Sequence, residues 1–253
     1  MLFENLKCVL VFVAHPDDET IGCGGLLQRV PSALVVFAVD GAPVGYGFER
    51  KFGSLKSYSE ERFKEAGRAL GVLPNCSFRR LKTRNGAYFP DRHLFEYLKD
   101  AASSLVAIAQ EFSPDVIISH AYEGGHVDHD ACSFLTSYAA KTLSLERFEF
   151  PLYWKDGHRR DVFQEFRNAQ EGAMFLNLSK AEIAAKNKML AAYETQREIV
   201  ALFSPNAEKF RPAPCYDYAH PSWNSYPPGN WRSRREAKAV LRRFSEFPCI
   251  AGR

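Results

Sequence analysis

Apolar positions along the chain follow two rhythms. Short continuous runs at Lys7–Ala14, Ala33–Asp40, Cys76–Leu81, Asp115–His120 and Ala173–Leu178 have the length and content of strands, and Phe148–Tyr153 reads as a further, shorter one. Between them, Thr20–Arg29, Leu55–Leu70, Leu94–Phe112, Asp130–Leu145 and Lys180–Glu194 carry apolar residues at helical spacing. Gly71 and Pro114 stand as stop signals behind two of these helices. Strands alternating with helices predict an α/β domain built on a largely parallel sheet with helices on both faces. A last helix is expected over Ser233–Phe247, whose arginines read as a solvated basic face. No internal repeat or low-complexity tract is visible, and 253 residues are enough for a single large domain, 1–253, with a sizeable core.

One stretch breaks both rhythms. From Pro205 to Trp231 the chain turns Pro-rich and aromatic, with Phe210, Tyr216, Tyr218, His220, Trp223, Tyr226 and Trp231. That is too long for an ordinary connection. A segment wrapping a sheet edge or a subunit interface is the first expectation, ahead of a wall that stacks on a sugar.

Two charged clusters follow buried strands. After the first run comes Ala14-His15-Pro16-Asp17-Asp18-Glu19, one imidazole and three carboxylates within five residues. After Asp115-Val116-Ile117-Ile118-Ser119 comes His120-Ala121-Tyr122-Glu123-Gly124-Gly125-His126-Val127-Asp128-His129-Asp130. Open α/β sheets bind ligands beyond the carboxyl ends of their strands, so both clusters can face one crevice. Such groups are costly to desolvate without compensation, and a divalent cation is the simplest compensation for histidines beside carboxylates. A catalytic zinc site takes three protein ligands and keeps one open position, which two such clusters can supply together. The blander alternatives are carboxylates at a helix N-terminus, favoured by the macrodipole, and two histidines sharing an exposed helical face.

The pair His-Pro-Asp-Asp-Glu at residues 15–19 and His-x-Asp-His at residues 126–129 resembles the PIG-L/LmbE-like zinc N-deacetylases. The likeness runs over roughly residues 7 to 145. That family includes enzymes acting on N-acetylglucosaminyl inositol lipids, on mycothiol and bacillithiol precursors and on antibiotic sugars. The resemblance implies a Rossmann-like, LmbE-like fold and a hydrolase that removes an N-acetyl or other N-acyl group from an amino-sugar-type substrate. It implies His15, Asp18 and His129 as ligands of one zinc per chain, other divalent metals being possible. Asp17 is then the general base. His126 steadies the oxyanion or protonates the leaving amine, and Asp128 orients a histidine. Arg62 matches a substrate-contacting arginine of the family; its alternative is a helix-surface ion pair with Glu65. Asp40, in the Gly-rich loop Asp40–Gly47, either binds substrate hydroxyls or caps that loop. Tyr122 stands nearest to a tyrosine that assists catalysis in some members, although glycines occupy the two positions before His126. A looser family pattern, Lys186-x-x-x-Leu190-x-x-x-x-x-Gln196, is explained mostly by helix packing, and Phe210-Arg211-Pro212-Ala213-Pro214 is similar to a segment of many relatives.

Composition narrows the partners. A net charge of +3 is too small to argue for nucleic acid or a membrane surface. Six cysteines, Cys8, Cys23, Cys76, Cys132, Cys215 and Cys249, form no C-x-x-C pair and no secreted disulfide pattern. With no signal peptide and no apolar run long enough to span a bilayer, a cytoplasmic setting is expected. The expected partner is a small N-acylated glycoside or sugar conjugate, and a homo-oligomer is possible. The rival readings are a metal-dependent hydrolase of another amide or ester, a metal-binding but inactive scaffold, and a nucleotide-binding Rossmann protein. The last is suggested by Gly22-Cys23-Gly24-Gly25, but Leu27 replaces the third glycine of that fingerprint.

Overall fold

A computed structural model describes residues 5–167, 172–221 and 234–247. The helices are α1 (Asp18–Cys23), α2 (Leu26–Arg29), α3 (Phe48–Phe52), α4 (Leu55–Leu70), α5 (Leu98–Phe112), α6 (Val127–Leu143), α7 (Lys180–Ala191), α8 (Arg197–Val200) and α9 (Arg234–Glu246). The strands are β1 (Cys8–Val13), β2 (Ser32–Phe37), β3 (Cys76–Arg80), β4 (Val116–His120), β5 (Glu146–Phe150), β6 (Tyr153–Lys155), β7 (Asp161–Phe163), β8 (Met174–Asn177) and β9 (Ala207–Pro212). Seven strands form one sheet in the order β3-β2-β1-β4-β5-β9-β8, and β6 and β7 form a separate hairpin. The first five strands are parallel. The sheet is therefore largely parallel, as the alternation of runs predicts.

The strands read as continuous apolar runs because helices cover both faces. Leu10, Phe12, Leu34, Val36 and Ile117 face a core shared with α5, α6 and α9. The alternate residues Val9, Val11, Val13, Ala33, Val35, Phe37 and Ile118 face a second core against α1, α2, α4 and α7. Each side of β1 is thus buried, and a fully buried side chain such as Phe12 contributes about 1.5–3 kcal/mol relative to exposure.

Three expectations shift. The helix anticipated over Thr20–Arg29 is broken in two at Gly24 and Gly25. A Cβ on Gly25 would sit 2.3 Å from Leu178 Cδ2, and the Glu208 carboxylate accepts the amides of Gly25 (2.6 Å) and Leu26 (2.9 Å), restarting the helix from a remote segment. The helix anticipated at Asp130 begins at Val127, which puts His126 at its N-cap. The Pro205–Trp231 stretch opens with a strand: β9 runs antiparallel between β5 and β8 and closes the β5 edge. Its pairing is reinforced by Arg211, whose Nε donates to Glu149 Oε1 at 2.7 Å. Trp223, Tyr226, Trp231 and Cys249 lie outside the described residues.

Candidate functional site

The sheet order reverses between β1 and β4, and both charged clusters emerge at their carboxyl ends. That is the switch point where an open parallel sheet leaves a crevice. A cavity of about 510 Å³ opens there, and its walls include His15, Asp17, Asp18, Arg62, His126 and His129.

Asp18, the first residue of α1, stands at the centre of the cluster. Its Oδ2 lies 3.3 Å from His15 Nδ1, 3.4 Å from His120 Nε2 and 3.5 Å from His129 Nε2. A tetrahedron with metal–ligand bonds of about 2.0–2.2 Å has edges of roughly 3.3–3.6 Å, so Asp18 Oδ2 stands at co-ligand spacing from each of these three imidazole nitrogens. Among the described residues, three overlapping sets of donors come close enough to share an ion: His15, His126 and His129; His15, Asp91, His126 and Asp128; and Asp18, His120 and His129. Hydrogen bonds separate them. His120 Nε2 accepts the amide of Ala14 at 3.0 Å, which engages its lone pair. His126 Nδ1 accepts the amide of Asp128 at 3.2 Å as the α6 cap, and its Nε2 faces Arg92 Nη1 at 3.2 Å. His15 presents Nδ1 to Asp18, while its Nε2 lies 3.5 Å from carboxylate oxygens of both Asp91 and Asp128. A carboxylate behind a ligating imidazole fixes its tautomer and raises its basicity. A borderline or hard divalent cation suits these nitrogen and oxygen donors.

Asp17 precedes α1 in a strained conformation, with φ 127° and ψ −35°. Its amide donates to Glu19 Oε2 at 3.1 Å, and its Oδ2 accepts from Arg62 Nη2 at 3.3 Å. The adjacent carboxylates therefore diverge, Asp18 towards the histidines and Asp17 towards Arg62.

Electrostatics set these groups apart. Burial pushes the Asp17 carboxyl up to about 8, against the opposing pull of Arg62. Burial acts the same way on Asp18, but the charges of His129 and His120 outweigh it and hold that carboxyl well below its ordinary value. Burial disfavours a charged His15, yet Asp91, Asp128 and Asp18 together raise it well above the usual histidine range. His120 is driven down to about 3 by burial and by His129. His126 is lowered well below its ordinary value by burial, then by His15, His129 and Arg92.

The other residues singled out from the sequence are each engaged by the protein itself. Arg62 is buried in the cavity wall, donating to the carbonyls of Gly41 (2.8 Å) and Pro16 (2.8 Å) as well as to Asp17. Its expected alternative partner, Glu65, instead accepts from Thr195. Asp40 caps its loop: Oδ1 accepts the amides of Ala42 and Asp91, each at 3.0 Å. Tyr122 is turned into the core, where its hydroxyl donates to the Tyr218 carbonyl at 2.9 Å, and it is not part of the cavity wall. Asp128 accepts the amides of Arg92 (2.5 Å) and Leu94 (3.2 Å), anchoring the loop that carries Asp91. Asp91 and Arg92 were not anticipated. Their only signal was a polar pair behind Pro90, which ordinary turn chemistry also explains.

The profile of the PIG-L family, described as GlcNAc-PI de-N-acetylase, matches residues 10–140. A curated relative, the 1D-myo-inositol 2-acetamido-2-deoxy-alpha-D-glucopyranoside deacetylase of Rhodococcus erythropolis, is 26% identical over 168 residues, covering 57% of this chain and 56% of the relative. The match thus spans little more than half the length of that relative. Among solved structures, a deacetylase triple mutant from the teicoplanin biosynthetic pathway superposes with a TM-score of 0.62 at 16% identity, over 81% of this chain and 97% of the other. The 4-carboxy-2-hydroxymuconate hydratase of Pseudomonas putida superposes with a TM-score of 0.50 at 17% identity, over 77% and 81%. Likenesses this remote speak for the fold alone, and one fold carries both reactions. The motif-bearing half of the sequence is more specific: with residues 10–140 matched, the chain belongs to the PIG-L family.

Proposed function

We propose that this chain is a metal-dependent N-deacetylase that hydrolyses the amide of an N-acylated amino sugar or sugar conjugate. One observation carries the reading: Asp18 Oδ2 lies 3.3 Å from His15 Nδ1 and 3.5 Å from His129 Nε2, and a second carboxylate, Asp17, sits beside them on the same cavity wall. His15 Nδ1, Asp18 and His129 Nε2 would hold the ion, zinc being the first expectation. When bound, such an ion lowers the pKa of water to about 7 and polarises the acyl oxygen.

The chain's own residues supply the rest. Asp17 takes the proton of the attacking water and returns it to the amine nitrogen as the C–N bond breaks, and Arg62 keeps its carboxylate in place. His126, at the α6 cap, would steady the negative charge growing on the acyl oxygen through Nε2, the nitrogen that Arg92 Nη1 approaches at 3.2 Å. Asp128 holds His15 through Nε2, as Asp91 does. The family match and the amino-sugar substrate named for the Rhodococcus relative support the substrate class. A cytoplasmic location fits the free thiols Cys8, Cys23, Cys76, Cys132 and Cys215. No helix among the described residues is long and apolar enough to cross a membrane.

The test is metal content followed by acetate release. Wild-type protein should hold about one divalent ion per chain, His129→Ala should lose it, and the loaded protein should free acetate from N-acetylglucosaminides. A loaded protein that cleaves no N-acyl sugar would reject the activity. Equal metal in wild type and His129→Ala would reject the ligand set.

A further inference from the structure

The hydrolysis needs only the buried floor of the cavity, yet its upper wall has a different character. Among the described residues, seven large apolar side chains are substantially exposed, and four of them, Val44, Tyr46, Ile199 and Leu202, fall in two short segments. Both segments contribute to this cavity, the first through Pro43, Tyr46 and Phe48, the second through Gln196, Ile199 and Phe203, so of the four exposed side chains Tyr46 and Ile199 line it, and Val44 and Leu202 are their neighbours in sequence. Exposed apolar residues scattered singly need no explanation, but a cluster at a cavity mouth does.

The rim is built. Tyr46 stacks on Phe48 with centroids 6.0 Å apart, and Phe48 on Tyr58 at 4.1 Å, with ring planes within 14° and 12°. Gln196 Nε2 donates to the hydroxyl of Tyr58 in α4 at 2.7 Å, so the second segment meets the ring on which Phe48 stacks. Below, the Tyr153 ring meets His129 edge-on at 5.3 Å and lies 6.4 Å from Phe203, so an aromatic track leads up from the metal cluster. Exposure follows the same path, from 4% at His129 to 46% at Ile199 and 51% at Tyr46. A volume of about 510 Å³ lies within the range that holds drug-sized ligands.

We propose that this rim is an apolar subsite, continuous with the metal cluster, for an aromatic or alkyl group on the substrate beyond the scissile amide. The inference rests on the hydrolytic reading for what sits on the floor. The apolar group belongs either to the amine half, as an aryl or alkyl aglycone on the amino sugar, or to the acyl half, as a chain longer than acetyl.

The two products of hydrolysis separate these sources without turnover. Binding to the zinc-loaded protein is measured by calorimetry for phenyl against methyl β-glucosaminide, and for hexanoate against acetate. One apolar partner should bind about tenfold tighter than its small counterpart. Tyr46→Ser and Ile199→Ser, both at exposed positions, should each cut that preference at least threefold while circular dichroism stays native. The pair that shows the preference identifies the half that carries the group. Equal binding within both pairs, no measurable binding at millimolar concentration, or a preference untouched by both substitutions would overturn the subsite. Light scattering on the same samples covers one further occupant: a dimer dispersed by the substitutions, with the preference intact, would make the rim a contact between copies and also overturn it. Because no measurement needs catalysis, failed acetate release would sink the hydrolytic reading and leave these ratios standing.

Discussion

Lys186 and Glu208 form a buried ion pair whose loss should destabilise the fold and weaken metal binding. Lys186 is fully buried and Glu208 is 3% exposed. Lys186 Nζ donates to Glu208 Oε1 at 2.6 Å and to the Ile21 carbonyl at 2.8 Å, while the carboxylate also takes the amides of Gly25 and Leu26. The pair therefore clasps the end of α1, the short helix that begins with Asp18. Removing one partner of a buried pair costs about 3–5 kcal/mol, because the other charge stays buried. Glu208→Gln should fall in that range, and Glu208→Ala at its upper end, since two amides also lose their acceptor. Lys186→Met should cost less, about 2–4 kcal/mol, because Glu208 keeps its amide donors. The double variant Lys186→Met/Glu208→Gln removes both charges and should lose at least about 2 kcal/mol less than the sum of the singles. Urea unfolding of each variant with metal stripped gives these values. In a chain of this size the single losses correspond to a Tm lower by roughly 10 °C. Metal titration of the same variants should show weaker binding, since α1 carries Asp18. Singles within about 1 kcal/mol of wild type, or strict additivity in the double, would refute the clasp.

Asp17→Asn should keep its metal and lose about 10²–10⁴-fold in kcat on whichever N-acyl sugar the wild type cleaves; loss of metal would instead reassign Asp17 as a ligand. Gly125→Ala should cost at least about 1–3 kcal/mol in thermal or urea unfolding, because a Cβ there would lie 1.9 Å from the Tyr153 carbonyl oxygen and something must shift; wild-type stability in this variant would show that the hairpin approach is loose. The Arg29–Glu182 bridge gives a pH signature. Arg29 and the Ser179 amide hold the Glu182 carboxyl down at about 2, below its ordinary 4.5. A depressed folded-state value means the stabilisation is fully present above pH about 4.5 and is lost as pH falls through about 2. Glu182→Gln should therefore shallow the acid limb of stability across that window, by no more than about 1 kcal/mol for a pair this exposed to solvent. Parallel acid limbs in the two proteins would remove the bridge from the account.

Much of this arrangement was legible in the sequence because it is local. β1 and β4 announce themselves as buried runs, and the charged residues that follow each can only lie at its carboxyl end, so topology alone brings His15 and His129 to one crevice. What stayed hidden depends on remote contacts. The break at Gly24 and Gly25 is set by Leu178 and Glu208, which approach from the far end of the chain. β9 lay concealed in a Pro-rich stretch because Glu208, Lys209 and Arg211 break its apolar pattern; two of these three charges are buried and paired. Lys186 looked like ordinary helix packing, since nothing local marks a lysine as buried. Tyr122 invited a catalytic role from its distance to His126 along the chain, but its strand-end direction takes it into the aromatic core with Tyr218.

The site itself opposes folding, which explains why so many remote segments converge on it. Asp17, Asp18, Glu19, Asp91 and Asp128 are all buried, and burial is costly for carboxylates without compensation. Asp17 adds backbone strain of about 1–3 kcal/mol at its positive φ. That conformation persists because its surroundings determine it twice over: Arg62 engages its side chain, and Glu19 engages its amide. Glu19 is itself fixed by the hydroxyls of Thr20 and Tyr193, and Tyr193 arrives from the segment after α7. Residues 180–212 therefore belong to the working structure as much as the motifs do. Through Tyr193 they hold the turn at Asp17, through Lys186 and Glu208 they hold the end of α1, and through Gln196 they reach the cavity rim. A chain cut off after the second motif would keep every proposed ligand and lose the supports that keep two adjacent carboxylates pointing apart.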